Sequence, residues 1–294
     1  MTNYIIDFPG LGIRINPPAG FFIGNFEVRM YGIIIALGLI LAVAYSLRRR
    51  EQFGISEDDL MDGVLWIAPF AIVCARLYYC AFEWEHYASN PISILYIWEG
   101  GLAIYGAVIG AAIGVLIHCK FIKKISVLAV LDLVSLGFFI GQIMGRWGNF
   151  FNREAHGGVT DSFLRMGLIH PVTGNGAYYH PTFLYESLWN LIGFILLHFF
   201  SRKRKYDGQV ALMYVAWYGL GRCFIEGLRT DSLWWGPFRV SQVLAAGSCV
   251  IAVVALLLLS RKEHKPEDLF VNKVAARAAA EAAETAEVSE ETAE

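Results

Sequence analysis

Charge is scarce in this sequence. Of its 294 residues only 17% are Asp, Glu, Lys or Arg, whereas 56% are hydrophobic and the mean hydropathy is +0.48. Soluble domains carry roughly a quarter charged residues, so an ordinary water-soluble domain is excluded. The formal net charge of -2 says little, and no nucleic-acid partner is expected. Paired cysteines are missing too. Cys74, Cys80, Cys119, Cys223 and Cys249 lie in or at the ends of apolar runs, odd in number and without paired loop spacing, which argues against a disulfide framework and a zinc site. The seven histidines lack metal-ligand spacing, so neither a metal nor another cofactor is expected. The first thirty residues lack a basic stretch followed by an apolar one, which argues against a cleaved signal peptide. Period-two alternation is absent, and with it the signature of a membrane β-barrel.

What is present is a series of long apolar windows, at about residues 31–47, 60–81, 101–119, 127–145, 181–200, 210–225 and 240–259. A bilayer is spanned by about 20 such residues, and helices satisfy their own backbone in lipid. The expected fold is all-α, a polytopic bundle of seven transmembrane helices. Basic clusters follow the first, third, fifth and seventh windows: "RRR" at 48–50, "KFIKK" at 120–124, "RKRK" at 202–205 and "RKEHK" at 261–265. Cytoplasmic loops are rich in Lys and Arg, so the N-terminus is expected outside and the C-terminus in the cytoplasm. The expected division is a catalytic membrane domain over 1–264 and a low-complexity Ala/Glu tail over 265–294, disordered or transiently helical. An external loop at about 147–180 is long enough to form a cap.

Polar residues cluster at the external ends. "YGLGRCFIEGLRTD" sets Arg222, Glu226 and Arg229 at i, i+4, i+7, on one helical face. "GRWGNFFNREAHG", from Gly145 to Gly157, repeats that spacing with Arg146, Asn149 and Arg153, followed by Glu154. Snorkelling to the headgroups explains any one such arginine, but two Arg-rich faces among amides point to a functional site. Guanidinium stays charged and binds phosphate bidentately, and the phosphate at hand in an outer leaflet is that of a phospholipid. "VRMYG" adds Tyr31, and "HPTFLYE" adds His180 ahead of a helix with Pro181 early in it. Arg76 and Glu186 fit either a buried ion pair that fixes helix packing or a substrate role. In "EGGLAIYGAVIGAAIG", Gly106, Gly110 and Gly114 form a seam for close helix approach beside Tyr105.

Together "GRWGNFFNREAHG", "HPTFLYE", "EGGLAIYG" and "GLGRCFIEGLR" closely resemble the bacterial prolipoprotein diacylglyceryl transferases, over roughly residues 31–259. The first matches that family's pattern G-R-x-G-N-F-x-N-x-E-x-x-G at every fixed position. The resemblance implies transfer of the diacylglyceryl group of phosphatidylglycerol to the thiol of the lipobox cysteine of a preprolipoprotein signal peptide. A thioether forms and glycerol phosphate leaves, at the bacterial inner membrane. It also implies Arg146, Arg222, Glu154, Glu226 and Tyr105 as catalytic, and Arg146, Asn149, Asn152, Arg222, Arg229, Tyr31 and His180 as binding phosphatidylglycerol. Several members have His where this chain has Tyr105. A phenol is a weak base near neutrality, so Tyr105 is expected to donate a hydrogen bond, with thiolate formation left to the field of the arginines. A transporter for an anionic solute is the competing class, but its expected marks, broken helices and internal repeats, are missing.

Overall fold

The computed structural model describes residues 4–24 and 26–291. Strands β1 (Ile5–Phe8), β2 (Ile13–Ile15), β3 (Gly20–Ile23) and β4 (Phe26–Arg29) precede helices α1 (Met30–Arg49), α2 (Glu57–Phe82), α3 (Trp84–Ala88), α4 (Ile104–Ile117) and α5 (Val127–Asn152). Strands β5 (Met166–Ile169) and β6 (Gly176–Tyr179) lead into α6 (Thr182–Phe200) and α7 (Gln209–Leu228). A hairpin of β7 (Trp234–Trp235) and β8 (Phe238–Arg239) then leads into α8 (Val240–Ser260), and α9 (Phe270–Glu291) follows. The chain forms two compact units, Met1–Ser46 with Asp132–Pro266, and Leu47–Leu131 with Glu267–Glu294.

Six helices among the described residues are long and apolar enough to cross a membrane: α1, α2, α4, α5, α6 and α8. Their large apolar side chains point outward. Ile40 is 64% exposed and Ile251 71%, while Gly38, Ser46, Ala245 and Ala252 are buried, the arrangement of helices whose outer solvent is lipid. The sixth expected window, 210–225, also folds as a helix, α7, of 20 residues. Its most apolar stretch falls short of those of the other six, because Gln209, Tyr214, Trp217, Tyr218, Arg222 and Glu226 share the helix.

In the first unit, β2-β1-β5-β6 form an antiparallel sheet that joins the N-terminal segment to the expected cap loop. Its inner face buries Ile6, Phe8, Met166 and Leu168 against Phe150 of α5 and Phe183 of α6. At about 1.5–3 kcal/mol per buried side chain, this cluster fastens the sheet to the helix ends that carry the site. The loop is thus largely structured, and its first residues, Trp147 to Asn152, belong to α5. At the other end of α5, fully buried Asp132 accepts hydrogen bonds from the backbone N–H of Gly208 (2.9 Å) and Ala211 (2.8 Å). A carboxylate on the first turn of α7 satisfies donors that the helix itself cannot.

In the second unit, Ser56 caps α2 by accepting from the N–H of Asp59 (3.1 Å), and Glu57, Asp58 and Asp59 occupy the first turn. The glycine seam of α4 meets α2. A Cβ on Gly106 would come within 2.6 Å of the Cys74 carbonyl oxygen, and one on Gly110 within 2.5 Å of the Cys74 Cβ. Only glycine permits so close an approach.

Candidate active site

Three helix ends of the first unit meet at Glu186. This residue sits in the second turn of α6, 2% exposed, in a helix whose only basic residue is the distant His198. A carboxylate buried in that way requires cations from elsewhere, and both neighbours supply one. Arg146 of α5 reaches Glu186 Oε1 at 2.7 Å, and Arg222 of α7 donates to Oε2 at 3.0 Å. Arg222 also reaches Glu226 at 2.6 Å, one turn on, as the i, i+4 spacing predicts. Glu186 Oε1 and Glu226 Oε2 nevertheless receive no directional hydrogen bond. These contacts are held by charge, off the donor axis, and the guanidinium N–H groups stay available to a further anion.

From Arg146 the network runs toward the sheet. Its Nη1 donates to Asn149 Oδ1 (3.2 Å), and Asn149 and Asn152 both donate to Glu154 Oε1 (3.1 Å each). In the other direction Arg229 stands 4.0 Å from Glu226, and it grips Asp231 with two hydrogen bonds of 2.9 and 2.7 Å. That guanidinium holds the Asp231 carboxyl below the usual carboxylate range. The structure therefore links Arg146, Asn149, Asn152, Glu154, Arg222, Glu226 and Arg229 in one polar chain, with Glu186 at its centre.

Two glycines of the signature have steric duties. A Cβ on Gly148 would lie 2.6 Å from the ring of Tyr31, which packs on α5 there. One on Gly157 would lie 2.7 Å from the His180 Cβ and 2.8 Å from the Leu228 carbonyl oxygen. Gly157 is pinned between the segment before α6 and the end of α7, its N–H donating to the His180 carbonyl (2.9 Å) while Gly158 donates to that of Leu228 (2.9 Å). His180 thus serves through its backbone, and its Nδ1 lies 3.4 Å from the Tyr185 hydroxyl. Pro181 occupies the cap position of α6 rather than its first turn.

Arg153 departs from expectation. Helix α5 ends at Asn152, and Arg153 adopts a left-handed φ of 57°, so its side chain leaves the face of Arg146. It donates instead to the carbonyls of Tyr4, Phe151 and Pro17 and to Asn16 Oδ1, clamping the N-terminal segment. Ala155 is left-handed too, with φ 55°. Two such residues, separated only by Glu154, mark a strained turn, of the kind that clusters at functional sites.

In the second unit Arg76, 5% exposed, departs from the ion-pair reading. It has no carboxylate partner among the described residues. Its Nε donates to Ile94, Nη1 to Gly100 (2.6 Å) and Gly101 (3.0 Å), and Nη2 to Ser93 (2.7 Å) and Tyr96 (3.3 Å), carbonyls all. Tyr105 stands in the first turn of α4, directly after this loop, and is 39% exposed.

A model of the prolipoprotein diacylglyceryl transferase family matches residues 18–258. The chain belongs to that family. A phosphatidylglycerol–prolipoprotein diacylglyceryl transferase of Listeria welshimeri is 42% identical over 277 residues, 91% of this chain and 99% of the relative. One of Bacillus cytotoxicus is 44% identical over 258 residues, 85% and 94% of the two chains, and one of Limosilactobacillus reuteri is 42% identical over 274, 90% and 98%. The family match includes the whole polar chain from Tyr31 to Asp231, and it ends before α9. Within this transferase frame the residue that sequence reasoning undervalued is Glu186. Its signal was a lone carboxylate in an apolar window, to be matched to the arginines of neighbouring windows.

Proposed function

We propose that this protein transfers the diacylglyceryl group of phosphatidylglycerol to the thiol of a prolipoprotein lipobox cysteine, at the outer face of the bacterial inner membrane. The observation that carries the reading is the pair of arginines tied by one buried carboxylate, Arg146–Glu186–Arg222. Family membership supports the reaction class. In the proposed mechanism the thiol sulfur attacks the glyceryl carbon that bears the phosphate ester. The carbon–oxygen bond breaks, and glycerol phosphate leaves with the electron pair. Arg146 and Arg222 hold the phosphate and stabilise the charge that develops on it. Glu186 and Glu226 keep the guanidiniums aligned at the depth where the lipid phosphate arrives, and Asn149, Asn152 and Glu154 fix the approach of Arg146. Tyr31, Arg229 and His180 frame the lipid headgroup. Tyr105 donates a hydrogen bond to the thiol or a phosphate oxygen. The protein requires no cofactor, because the substrate peptide brings the nucleophile.

The proposed topology has seven crossings, α7 included, with the N-terminus outside. It is supported by the basic clusters after α1, α4, α6 and α8 and by the packing of α7 in the first unit. Trp189 and Trp217 stack at 4.4 Å and exchange hydrogen bonds with each other's carbonyls. The catalytic region is residues 1–264, and 265–294 is an appendage. Purified protein in detergent with phosphatidylglycerol and a lipobox peptide tests the activity: a thioether-linked diacylglyceryl peptide is expected. Solute flux in proteoliposomes without that product would favour a transporter. A reporter fused after Lys205 tests topology, and an external signal there would overturn it.

A further inference from the structure

A thiol cannot attack until it loses its proton, and the arginine cluster is poorly suited to remove it. Arg146 and Arg222 are balanced by Glu186 and Glu226, and Arg229 by Asp231, so little net positive field remains to stabilise a thiolate. Beside the cluster, in the same unit, lies a polar cavity of about 790 Å³. Asn152 and Glu154 form part of its wall, and two hydrogen bonds, Glu154–Asn149–Arg146, join that wall to the cluster.

Two imidazoles line the cavity, and their hydrogen bonds give them opposite tautomers. His170 Nδ1 accepts from the backbone N–H of Val172 and Thr173 (3.3 Å each), so its proton is on Nε2 and it can only donate there. His156 Nδ1 faces the Gly157 carbonyl oxygen at 3.1 Å. A carbonyl only accepts, so Nδ1 carries the proton and Nε2 keeps the lone pair. Among the described residues no partner occupies that nitrogen. The ring packs against Tyr179, with centroids 4.2 Å apart and planes tilted by 34°, and the left-handed residues Arg153 and Ala155 lie directly before it. These are the features of a general base: a fixed tautomer, an orienting acceptor and an open lone pair.

We propose that His156 is the catalytic base of this enzyme, an inference that rests on the transferase reading above. His156 Nε2 takes the thiol proton as sulfur forms its bond to the glyceryl carbon. The carbon–oxygen pair departs with glycerol phosphate, and the imidazolium returns the proton to that phosphate or to water. The ionisable and charged groups that share the cavity are Glu154, Arg153, Arg29, His170, Tyr4 and Tyr179.

The test compares two lipobox peptides, one with cysteine and one with selenocysteine, whose selenol ionises at far lower pH and needs no base near neutrality. For the full-length enzyme in phosphatidylglycerol micelles, His156→Gln should lower kcat/KM on the cysteine peptide about a hundredfold. The selenocysteine peptide should lose less than about fivefold. The wild-type ascending limb with cysteine should move, in the variant, to the alkaline range in which a free thiol ionises, about pH 8.5. Equal losses on both peptides would assign His156 a structural role and overturn the proposal, as would an unchanged profile. Wild-type enzyme that makes no thioether on either peptide would instead sink the transferase reading, and the base with it.

Discussion

Arg76, buried, and Arg222, half-buried, are both arginines of an apolar helix, and they are built for opposite ends. Arg76 has five N–H groups and five carbonyl acceptors, so no donor remains for a ligand. Arg222 contacts two carboxylates, one of them without a directional hydrogen bond, and keeps N–H groups to offer. A saturated arginine organises a loop, whereas one with N–H groups to spare can also engage an anion. Residue type does not distinguish the two; the count and kind of acceptors do.

The largest expected effect comes from removing the shared counter-ion. Glu186→Ala leaves Arg146 without its carboxylate and Arg222 with Glu226 alone, and breaking a buried pair costs about 3–5 kcal/mol, which thermal unfolding in detergent would register. Glu186→Gln keeps the shape and loses the charge, and its turnover should fall more than about a hundredfold. If the Gln variant melts and turns over like wild type, Glu186 is not the tie between the helices.

Next in size are Arg146→Lys and Arg222→Lys. An ammonium cannot reproduce the planar fork that grips two phosphate oxygens, and losing a charge-assisted contact in the transition state costs about 1.5–3 kcal/mol, roughly ten- to a hundredfold in rate. Alanine should be worse. Wild-type turnover from well-folded lysine variants would remove the phosphate clamp.

Arg76→Lys is the control that gives the contrast its force. Lysine has three donors for five carbonyls, and each buried carbonyl left unsatisfied costs about 1–3 kcal/mol. The unfolding midpoint should therefore drop, while activity per folded molecule should fall less than for Arg146→Lys. A reversed order, with stability intact and chemistry lost, would show that saturation does not mark a structural arginine.

How much of this was legible beforehand follows the range of the interactions. The glycine seam at Gly106, Gly110 and Gly114 encodes a close approach whatever its partner, and α2 duly fills it. The Arg222–Glu226 contact is local, and helical spacing yields it. Arg153 was misplaced because its face depends on where α5 stops, and a left-handed non-glycine turn leaves no compositional trace. The strands of the first thirty residues escaped notice for a related reason. They are three or four residues long, and β1 pairs with β5 some 160 positions away. Helix α7 folds where an apolar window was expected, yet its most apolar stretch falls short of those of the six long apolar helices, because residues of the site displace leucine and valine from it.

A smaller effect is expected at Tyr105, which the family resemblance marks and which the first unit says nothing about. With the proton going elsewhere, its hydroxyl is worth one hydrogen bond, so Tyr105→Phe should lower turnover about tenfold or less. Tyr105→His should retain activity through an imidazole N–H. The pH–rate profile decides the matter. If the ascending limb vanishes in Tyr105→Phe and turnover falls more than about a thousandfold, the tyrosine is itself the base.

The smallest expected effect lies in the tail, where the second unit differs most from the first. Helix α9 is Ala- and Glu-rich, and its residues from Asn272 to Val288 are exposed. Its beginning is another matter, because Phe270 and Val271 are half-buried and a Cβ on Gly54 would come within 2.7 Å of the Val271 Cα. Gly54 has a φ of 72° and closes the turn after α1, so the two residues cover a bend that glycine alone adopts without strain. Truncation after Lys273 removes, among the residues whose exposure is described, only exposed helix, and should leave the unfolding midpoint and turnover unchanged. Truncation after Lys265 also uncovers the bend and should lower the midpoint by a few degrees, with turnover per folded molecule preserved. If the shorter cut abolished activity in folded protein, the catalytic region would extend past residue 264, into a segment that the family match does not reach.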